Sequence, residues 1–236
     1  MSSAALSVPS FVRQEVLDEL FSDFPLSPKD LLIVSYPKSG TTWTQHIVNL
    51  LSAGKLVVHL PKHFPNTFTL HGIQRMLLSL TIITINALSF LTLVEIGMIF
   101  FEYFLKGDVN YGSWFDHILG WWSHKDAENI LFLKYEDMKR DLPGAVRSIS
   151  QFMGYDLDQA TIESIAEQSS FESMKANPLA NPDLFFTYKV ETNSTPPFLR
   201  KGVVDDWKNH FSEEQSSILN AEYTKRMGGI GLNYCS

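Results

Sequence analysis

A short apolar run followed by a polar loop and an amphipathic segment constrains this chain more than any other feature. Residues 31–35 (LLIVS) form a continuous β-rich run, as expected for a strand buried on both faces of a parallel sheet. Residues 42–51 then place apolar side chains at helical spacing, Gly54 stands at a C-cap position, and residues 56–60 predict a second strand. This order predicts a βαβ unit, and therefore an α/β fold with a central parallel sheet flanked by helices.

The loop between this strand and helix has the composition of an anion-binding site. In residues 36–43 (YPKSGTTW), Gly40 permits a left-handed backbone, Thr41 and Thr42 supply hydroxyl donors, and the helix N-terminus adds partial positive charge. The loop is not a Walker A loop, because Lys38 precedes the glycine instead of following it. These features predict a phosphate cradle, and they make a nucleoside triphosphatase or P-loop kinase a secondary hypothesis.

Composition limits the other function classes. The 236 residues include 26 acidic and 19 basic side chains, which gives a formal net charge of -7. The overall electrostatic potential therefore does not attract nucleic acid, and any anion site must depend on a local cluster of cations. The lone cysteine, Cys235, excludes an internal disulfide framework and a cysteine-based metal cluster within the chain. Residues 1–9 lack the basic and apolar regions of a secretory signal. We therefore expect a single-domain, cytoplasmic protein without a nucleic-acid partner.

One segment complicates that expectation. Residues 76–94 (MLLSLTIITINALSFLTLV) carry no charged side chain and are long enough to cross a bilayer. The serine, threonine and asparagine residues among them favour a buried strand and helix of an α/β core. A membrane-anchored variant is the alternative.

Further signals define elements along the rest of the chain. A helix is predicted over residues 12–21, and a buried strand over residues 130–135 (ILFLKY). N-cap and stop signals predict three more helices: from Asp141 to Gly154, from Asp158 to near Ser169, and from a Ser212 capping box to Gly228 and Gly229.

A second candidate anion site lies near the C-terminus, at Arg200, Lys201 and Gly202. Two adjacent cations beside a glycine can hold a phosphate through charge-assisted hydrogen bonds. Taken alone, these residues are equally consistent with a solvated basic loop.

Five blocks in order along the chain resemble the cytosolic sulfotransferase family, whose donor is 3'-phosphoadenosine 5'-phosphosulfate (PAPS). They are residues 36–43, 101–122 (FEYFLKGDVNYGSWFDHILGWW), 133–142 (LKYEDMKRDL), 169–178 (SSFESMKANP) and 197–211 (PFLRKGVVDDWKNHF). The resemblance covers most of the chain. It implies one sulfotransferase domain over residues 1–236, with a P-loop-like strand-loop-helix and an atypical apolar segment at residues 70–98 that replaces a family block.

The resemblance implies donor-binding roles for residues in four of these blocks. Lys38, Ser39, Gly40, Thr41 and Thr42 would hold the 5'-phosphosulfate. Trp43, Tyr135 and Phe171 would surround the adenine, and Ser169 and Met174 would complete its pocket. Arg200, Lys201 and Gly202 would take the 3'-phosphate, and the adjacent Phe198 and Leu199 are assigned to the same cofactor site.

His59 is the candidate catalytic base. The sequence His59-Leu60-Pro61 resembles the family's Lys-Thr-His-Leu-Pro motif, and an imidazole accepts a proton near neutral pH. Lys38 would stabilise the charge that develops on the bridging oxygen as the sulfuryl group leaves. No metal is expected in this chemistry. The other histidines considered, His63, His117 and His124, are expected to be structural or exposed.

The chain also departs from the family pattern. Val57 and Val58 replace the Lys and Thr before His59, and the family's Arg-Asn-Pro-Lys-Asp block, which serves the 3'-phosphate, has no counterpart. We expect the apolar segment in its place to remove a central strand of the sheet. Asp205 replaces a glycine and is expected to put a negative charge near the two cations of the C-terminal site.

These features predict a sulfotransferase that moves a sulfuryl group from PAPS to a hydroxyl or amine of a small, apolar acceptor. The alternative is a catalytically impaired homologue, arising from a splice or gene-model variant, that binds nucleotide weakly. Dimerisation through the family's motif is not expected, because Ser212, Glu213 and Ser217 follow Lys208 where the family has other residues.

Overall fold

The chain folds around a parallel β-sheet in the computed structural model, which describes residues 30–52, 80–85, 98–109, 112–185 and 197–232. Its strands are β1 (Leu31–Ser35), β2 (Leu80–Ile85) and β3 (Ile130–Lys134), in the spatial order β1-β2-β3. Both pairs are parallel, with Ile82 opposite Ile33 on one side and Leu131 on the other. The predicted parallel sheet is confirmed for these strands.

Helices follow each strand, and several end where the sequence predicts. Their bounds are α1 (Thr41–Leu51), α2 (Met98–Lys106), α3 (Trp114–Trp122), α4 (Tyr135–Arg140), α5 (Leu142–Phe152), α6 (Gln159–Gln168), α7 (Phe171–Ala176), α8 (Pro182–Phe185), a 3₁₀-helix (Asp206–Asn209) and α9 (Glu213–Met227). Asp141, Asp158 and Ser212 each accept a hydrogen bond from a backbone N–H in the first turn of α5, α6 and α9. The Gln215 side chain completes the capping box predicted for α9.

Each face of the sheet is covered by its own hydrophobic cluster, because successive strand residues point to opposite faces. Ile33, Ile82 and Leu133 lie in a cluster with buried side chains of α1, α5 and α6. Ile83 lies in the other cluster, with buried aromatic side chains of α2 and α3. The fold is therefore the predicted α/β arrangement, with helices on both faces of the sheet.

The apolar segment of residues 76–94 supplies the middle strand of the three. Thr81, Ile82 and Ile83 in β2 have no exposed surface. The expectation that replacing the family block removes a central strand is therefore wrong, because the β-branched sequence LTIITI pairs with both neighbouring strands. The buried strand favoured for this segment is confirmed, and the helix predicted beside it falls outside the described residues. Of the helices described, none is both long and apolar enough to cross a membrane.

Two other predictions also fall outside the described part of the chain. They are the helix over residues 12–21 and the strand over residues 56–60. The C-cap predicted at Gly54 is wrong, because α1 ends at Leu51 and Ser52 holds the C-cap position. The Ser52 backbone N–H donates to the Val48 carbonyl at 3.0 Å.

Candidate functional site

A pocket lies near the carboxyl ends of β1 and β3, where the loop after β1 meets the start of α4 and the segment before the 3₁₀-helix. In open α/β sheets, ligands bind at this edge. The cavity has a volume of about 280 Å³. Its lining residues are Lys38, Gly40, Thr41, Thr42, Trp43, Tyr135, Lys139, Phe171, Met174, Phe198, Leu199, Arg200, Lys201, Gly202 and Val203.

The pocket brings together most of the residues singled out from the sequence, although they come from four separate segments. Ser39 and Ser169 are buried and do not line it. His59 lies outside the described residues. Lys139 and Val203 line the cavity without having been predicted. Lys139 stands four residues after Tyr135 on α4, a spacing that places two side chains on one helix face and could have identified it.

The loop after β1 leads directly into the pocket wall. Gly40 is the N-cap of α1 with φ 98°, and Lys38 also has a positive φ, of 64°. The side-chain hydroxyls of Ser35 and Thr41 are hydrogen-bonded to each other across the loop. Since Gly40, Thr41 and Thr42 line the cavity, the positive end of the α1 dipole lies at its edge.

Lys38 lies close to a second cation and an aromatic ring. Its Nζ is 5.2 Å from the centroid of the Phe198 ring. Burial lowers the pKa of the Lys38 ammonium, the positive charge of Arg200 lowers it further, and the Asp183 carboxylate opposes both effects. An anion bound here would reduce the repulsion between the two cations, so the arrangement favours a negatively charged ligand.

Aromatic side chains form another part of the lining. The rings of Trp43 and Tyr135 meet edge to face, with their centroids 5.3 Å apart. The Trp43 indole N–H donates to the Ser169 carbonyl at 2.7 Å, which fixes the indole plane. Burial raises the pKa of Tyr135 to about 12, so its phenol is protonated near neutral pH. These rings offer flat apolar faces of the kind on which a nucleobase stacks.

Two details beside the aromatic rings fit a base-binding site. Phe171 packs directly on the Gly202 backbone, so closely that a Cβ on Gly202 would lie 2.3 Å from the ring. Ser169 has no exposed surface, and its Oγ has no hydrogen-bond partner among the described residues. A buried hydroxyl without a hydrogen-bond partner is unfavourable, and a change in its surroundings on ligand binding that supplies a partner stabilises it.

Arg200 and Lys201 are both paired with Asp206 and not with Asp205. Arg200 Nη1 contacts Asp206 Oδ2, and Lys201 Nζ lies 2.9 Å from Asp206 Oδ1. Asp205 instead pairs with Lys208, at 2.8 Å between Oδ2 and Nζ. The carboxylate that contacts the two cations is therefore that of Asp206, and the charge expected near them from Asp205 is engaged by Lys208. Asp205 has φ 63°, and in this left-handed turn at the start of the 3₁₀-helix its carboxylate meets Lys208 three residues later.

None of the described histidines lines the pocket. His117 is buried on α3, its ring centroid lies 5.7 Å from that of Tyr36, and burial lowers its pKa to about 4. His124 is partly exposed, and His63 is outside the described residues. Within the described ranges, no group of three or more His, Cys, Asp or Glu side chains is arranged to hold a metal ion.

Comparison with known proteins identifies relatives along nearly the whole chain. The family model described as "Sulfotransferase domain" matches residues 28–95 and 92–231. Sulfotransferase 1C2 of Rattus norvegicus is 34% identical in an alignment that covers 90% of this chain and 88% of that protein. Sulfotransferase 2A6 of Mus musculus is 32% identical, covering 93% and 92%. The crystal structure of mouse sulfotransferase SULT7A1 complexed with PAP superposes with a TM-score of 0.75 at 27% identity, covering 94% of this chain and 92% of that one.

Proposed function

Because this chain belongs to the sulfotransferase family, we propose that it transfers the sulfuryl group of PAPS to a hydroxyl or amine of a small, apolar acceptor. The observation that carries the proposal is the composition of the pocket, in which cations and a helix N-terminus share one cavity with aromatic side chains. An adenosine with phosphate groups at its 5' and 3' positions needs both kinds of surface. The PAP complex of SULT7A1 supports the same donor, since PAP is 3',5'-adenosine bisphosphate, which remains when PAPS has lost its sulfuryl group.

The pocket residues fit the parts of this nucleotide. The lysine and hydroxyls that follow β1 would hold the 5'-phosphosulfate, through Lys38, Thr41, Thr42 and the first N–H groups of α1. The rings of Trp43, Tyr135 and Phe171 would surround the adenine, and Met174 would complete its pocket. Ser169 would contribute from behind the lining, through the carbonyl that holds the Trp43 indole. Arg200 and Lys201 would bind the 3'-phosphate.

Two side chains would carry the chemistry. When bound, PAPS would supply the sulfuryl group, which joins the acceptor oxygen or nitrogen while the bridging oxygen keeps the electrons of the broken S–O bond. Lys38 would stabilise the negative charge on that oxygen, and the His59 imidazole would accept the proton that the acceptor loses. His117 is poorly suited to this second role, because a pKa of about 4 makes it a weak base near neutral pH.

Sulfuryl transfer by the full chain tests this proposal. We expect the chain to convert PAPS to PAP in the presence of phenols, aliphatic alcohols or primary amines, with sulfated product detected by mass spectrometry. His59→Ala should lower kcat by about 10²- to 10⁴-fold, the usual contribution of a general base, and leave PAP affinity unchanged. His124→Ala removes a partly exposed histidine away from the pocket and should change neither quantity.

Two other outcomes of this assay would change the proposal, one in the function and one in the catalytic base. Tight PAP binding without product from any acceptor class would favour the catalytically impaired homologue. Full activity of His59→Ala would show that another group accepts the proton. The chemical class of the acceptor, a cytoplasmic location and the absence of the family's dimer contact stay predictions.

A further inference from the structure

Asp206 is a buried carboxylate at the start of the 3₁₀-helix, and its surroundings are rich in hydrogen-bond donors. Its side chain is only 4% exposed. Arg200 Nη1 and Lys201 Nζ donate to its two oxygens, Asn209 Nδ2 donates to Oδ1 at 3.3 Å, and His210 Nε2 lies 3.3 Å from Oδ2. Burial alone would raise the pKa of Asp206, but the hydrogen bonds from Lys201 and Arg200 outweigh it and bring the pKa well below its ordinary value. The carboxylate is therefore ionised near neutral pH.

Asp206 could affect an anionic ligand in two ways, by competing with it for the cations or by orienting the cations that bind it. The position of Asp206 relative to the pocket distinguishes between them. Arg200 and Lys201 line the cavity, whereas Asp206 does not. The carboxylate thus lies behind the pocket wall and contacts the two cations from the protein side. A carboxylate in the cavity would compete with a phosphate, but one behind the wall leaves the remaining N–H donors of the guanidinium and ammonium groups to the ligand.

Long cationic side chains lose much rotational freedom when they bind a ligand, and restraint before binding reduces that loss. Arg200 and Lys201 are 21% and 51% exposed, so a partner that restrains them matters for their orientation. We propose that Asp206 is a positioning residue, which holds the Arg200 and Lys201 side chains in the orientation that binds the 3'-phosphate of the donor nucleotide. This inference rests on the proposed function of the pocket.

Replacing Asp206 with asparagine tests the inference, because it removes the charge with almost no change in shape. The measurement is calorimetric affinity for two nucleotides, PAP and adenosine 5'-monophosphate, which lacks the 3'-phosphate. We expect Asp206→Asn to weaken PAP binding by about tenfold or more, as for the loss of charge-assisted hydrogen bonds, and to change 5'-monophosphate binding by less than about twofold.

Asp205→Asn is the matched control. It removes the same charge one residue earlier, from a carboxylate that pairs with Lys208 and does not contact the two pocket cations. Asparagine also tolerates the left-handed conformation found at this position. We expect it to leave the affinities for both nucleotides unchanged, which separates positioning from a general effect of net charge.

Asp206→Glu keeps the charge and provides a second test if the asparagine variant does not fold. Its longer side chain displaces the carboxylate, so PAP binding should weaken while 5'-monophosphate binding is retained. Unchanged or tighter PAP binding in a folded Asp206 variant would overturn the inference, and so would an equal loss for both nucleotides. Absence of PAP binding by the folded, unmodified chain would overturn the proposed function itself.

Discussion

Replacing Ile83 with alanine is expected to lower the free energy of unfolding by about 2–5 kcal/mol, because it deletes a fully buried side chain and leaves a cavity. Ile83 has no exposed surface and lies in the middle strand, between Val34 of β1 and Phe132 of β3. Its side chain belongs to the cluster formed with Phe101 and Phe104 of α2. The cavity would therefore open where the sheet meets its helical layer.

Urea denaturation measures this loss, with Ile218→Ala as the control. Ile218 on α9 is 41% exposed, so the same substitution there should change the free energy of unfolding by less than about 0.5 kcal/mol. A similarly small change for Ile83→Ala would mean that the apolar segment does not supply a core strand. The assignment of β2, and of the sheet as described, would then fail.

Gly202→Ala is expected to reduce PAP affinity by about tenfold or more, through a steric clash that displaces Phe171. A Cβ at this position would lie 2.3 Å from Phe171 Cδ2 and 2.7 Å from Cγ, well inside contact distance. The φ of 64° adds strain for any residue with a side chain, of about 1 kcal/mol. Because Phe171 lines the pocket, its movement would disturb the surface that we assign to the adenine.

Gly154→Ala separates the clash from the strain. Gly154 also has a positive φ, of 79°, but nothing lies within 4 Å of its added Cβ. Both variants should lose some stability in thermal unfolding, and only Gly202→Ala should lose PAP affinity in calorimetry. Equal PAP affinity for the two variants would contradict the tight contact between Phe171 and Gly202, or the role of that contact in donor binding.

The parts of the fold that local chemistry determines could be predicted from the sequence. An N-cap side chain bonds to backbone within its own turn, so Asp141, Asp158 and Ser212 could be assigned without knowledge of the tertiary structure. The loop after β1 is a similar case, since its glycine, lysine and threonines are contiguous. That this loop lies close to Arg200 was expected only from the family resemblance. Nothing local to either segment requires the two to lie together.

The features that the sequence did not predict depend on long-range pairing or on backbone direction. Residues 76–94 carry no charged side chain, and apolar residues continue along the whole segment, so hydropathy alone does not show that pairing with β1 and β3 selects Leu80–Ile85 as the strand. The choice between Asp205 and Asp206 as the partner of the cations depends on a left-handed turn at Asp205, a conformation that is uncommon for residues other than glycine. Neither can be read from composition or spacing.

The geometry of the pocket follows from the middle strand. The loop after β1 and the start of α4 after β3 contribute to one pocket because β2 pairs with both β1 and β3. A segment that keeps this pairing also keeps β1 and β3 at the same separation, and therefore keeps the two sides of the pocket in place. The apolar segment expected to replace a family block at residues 70–98 is therefore compatible with the donor site that we propose.

Calorimetric titration of PAP into the purified full chain tests whether the proposed donor site is intact. We predict binding in the micromolar range that is weakened by about tenfold or more in Lys201→Ala, because that variant loses a charge-assisted contact to the 3'-phosphate. A chain that unfolds cooperatively, and is therefore folded, but gives no binding to PAP would contradict the account and leave the family relationship without a donor site.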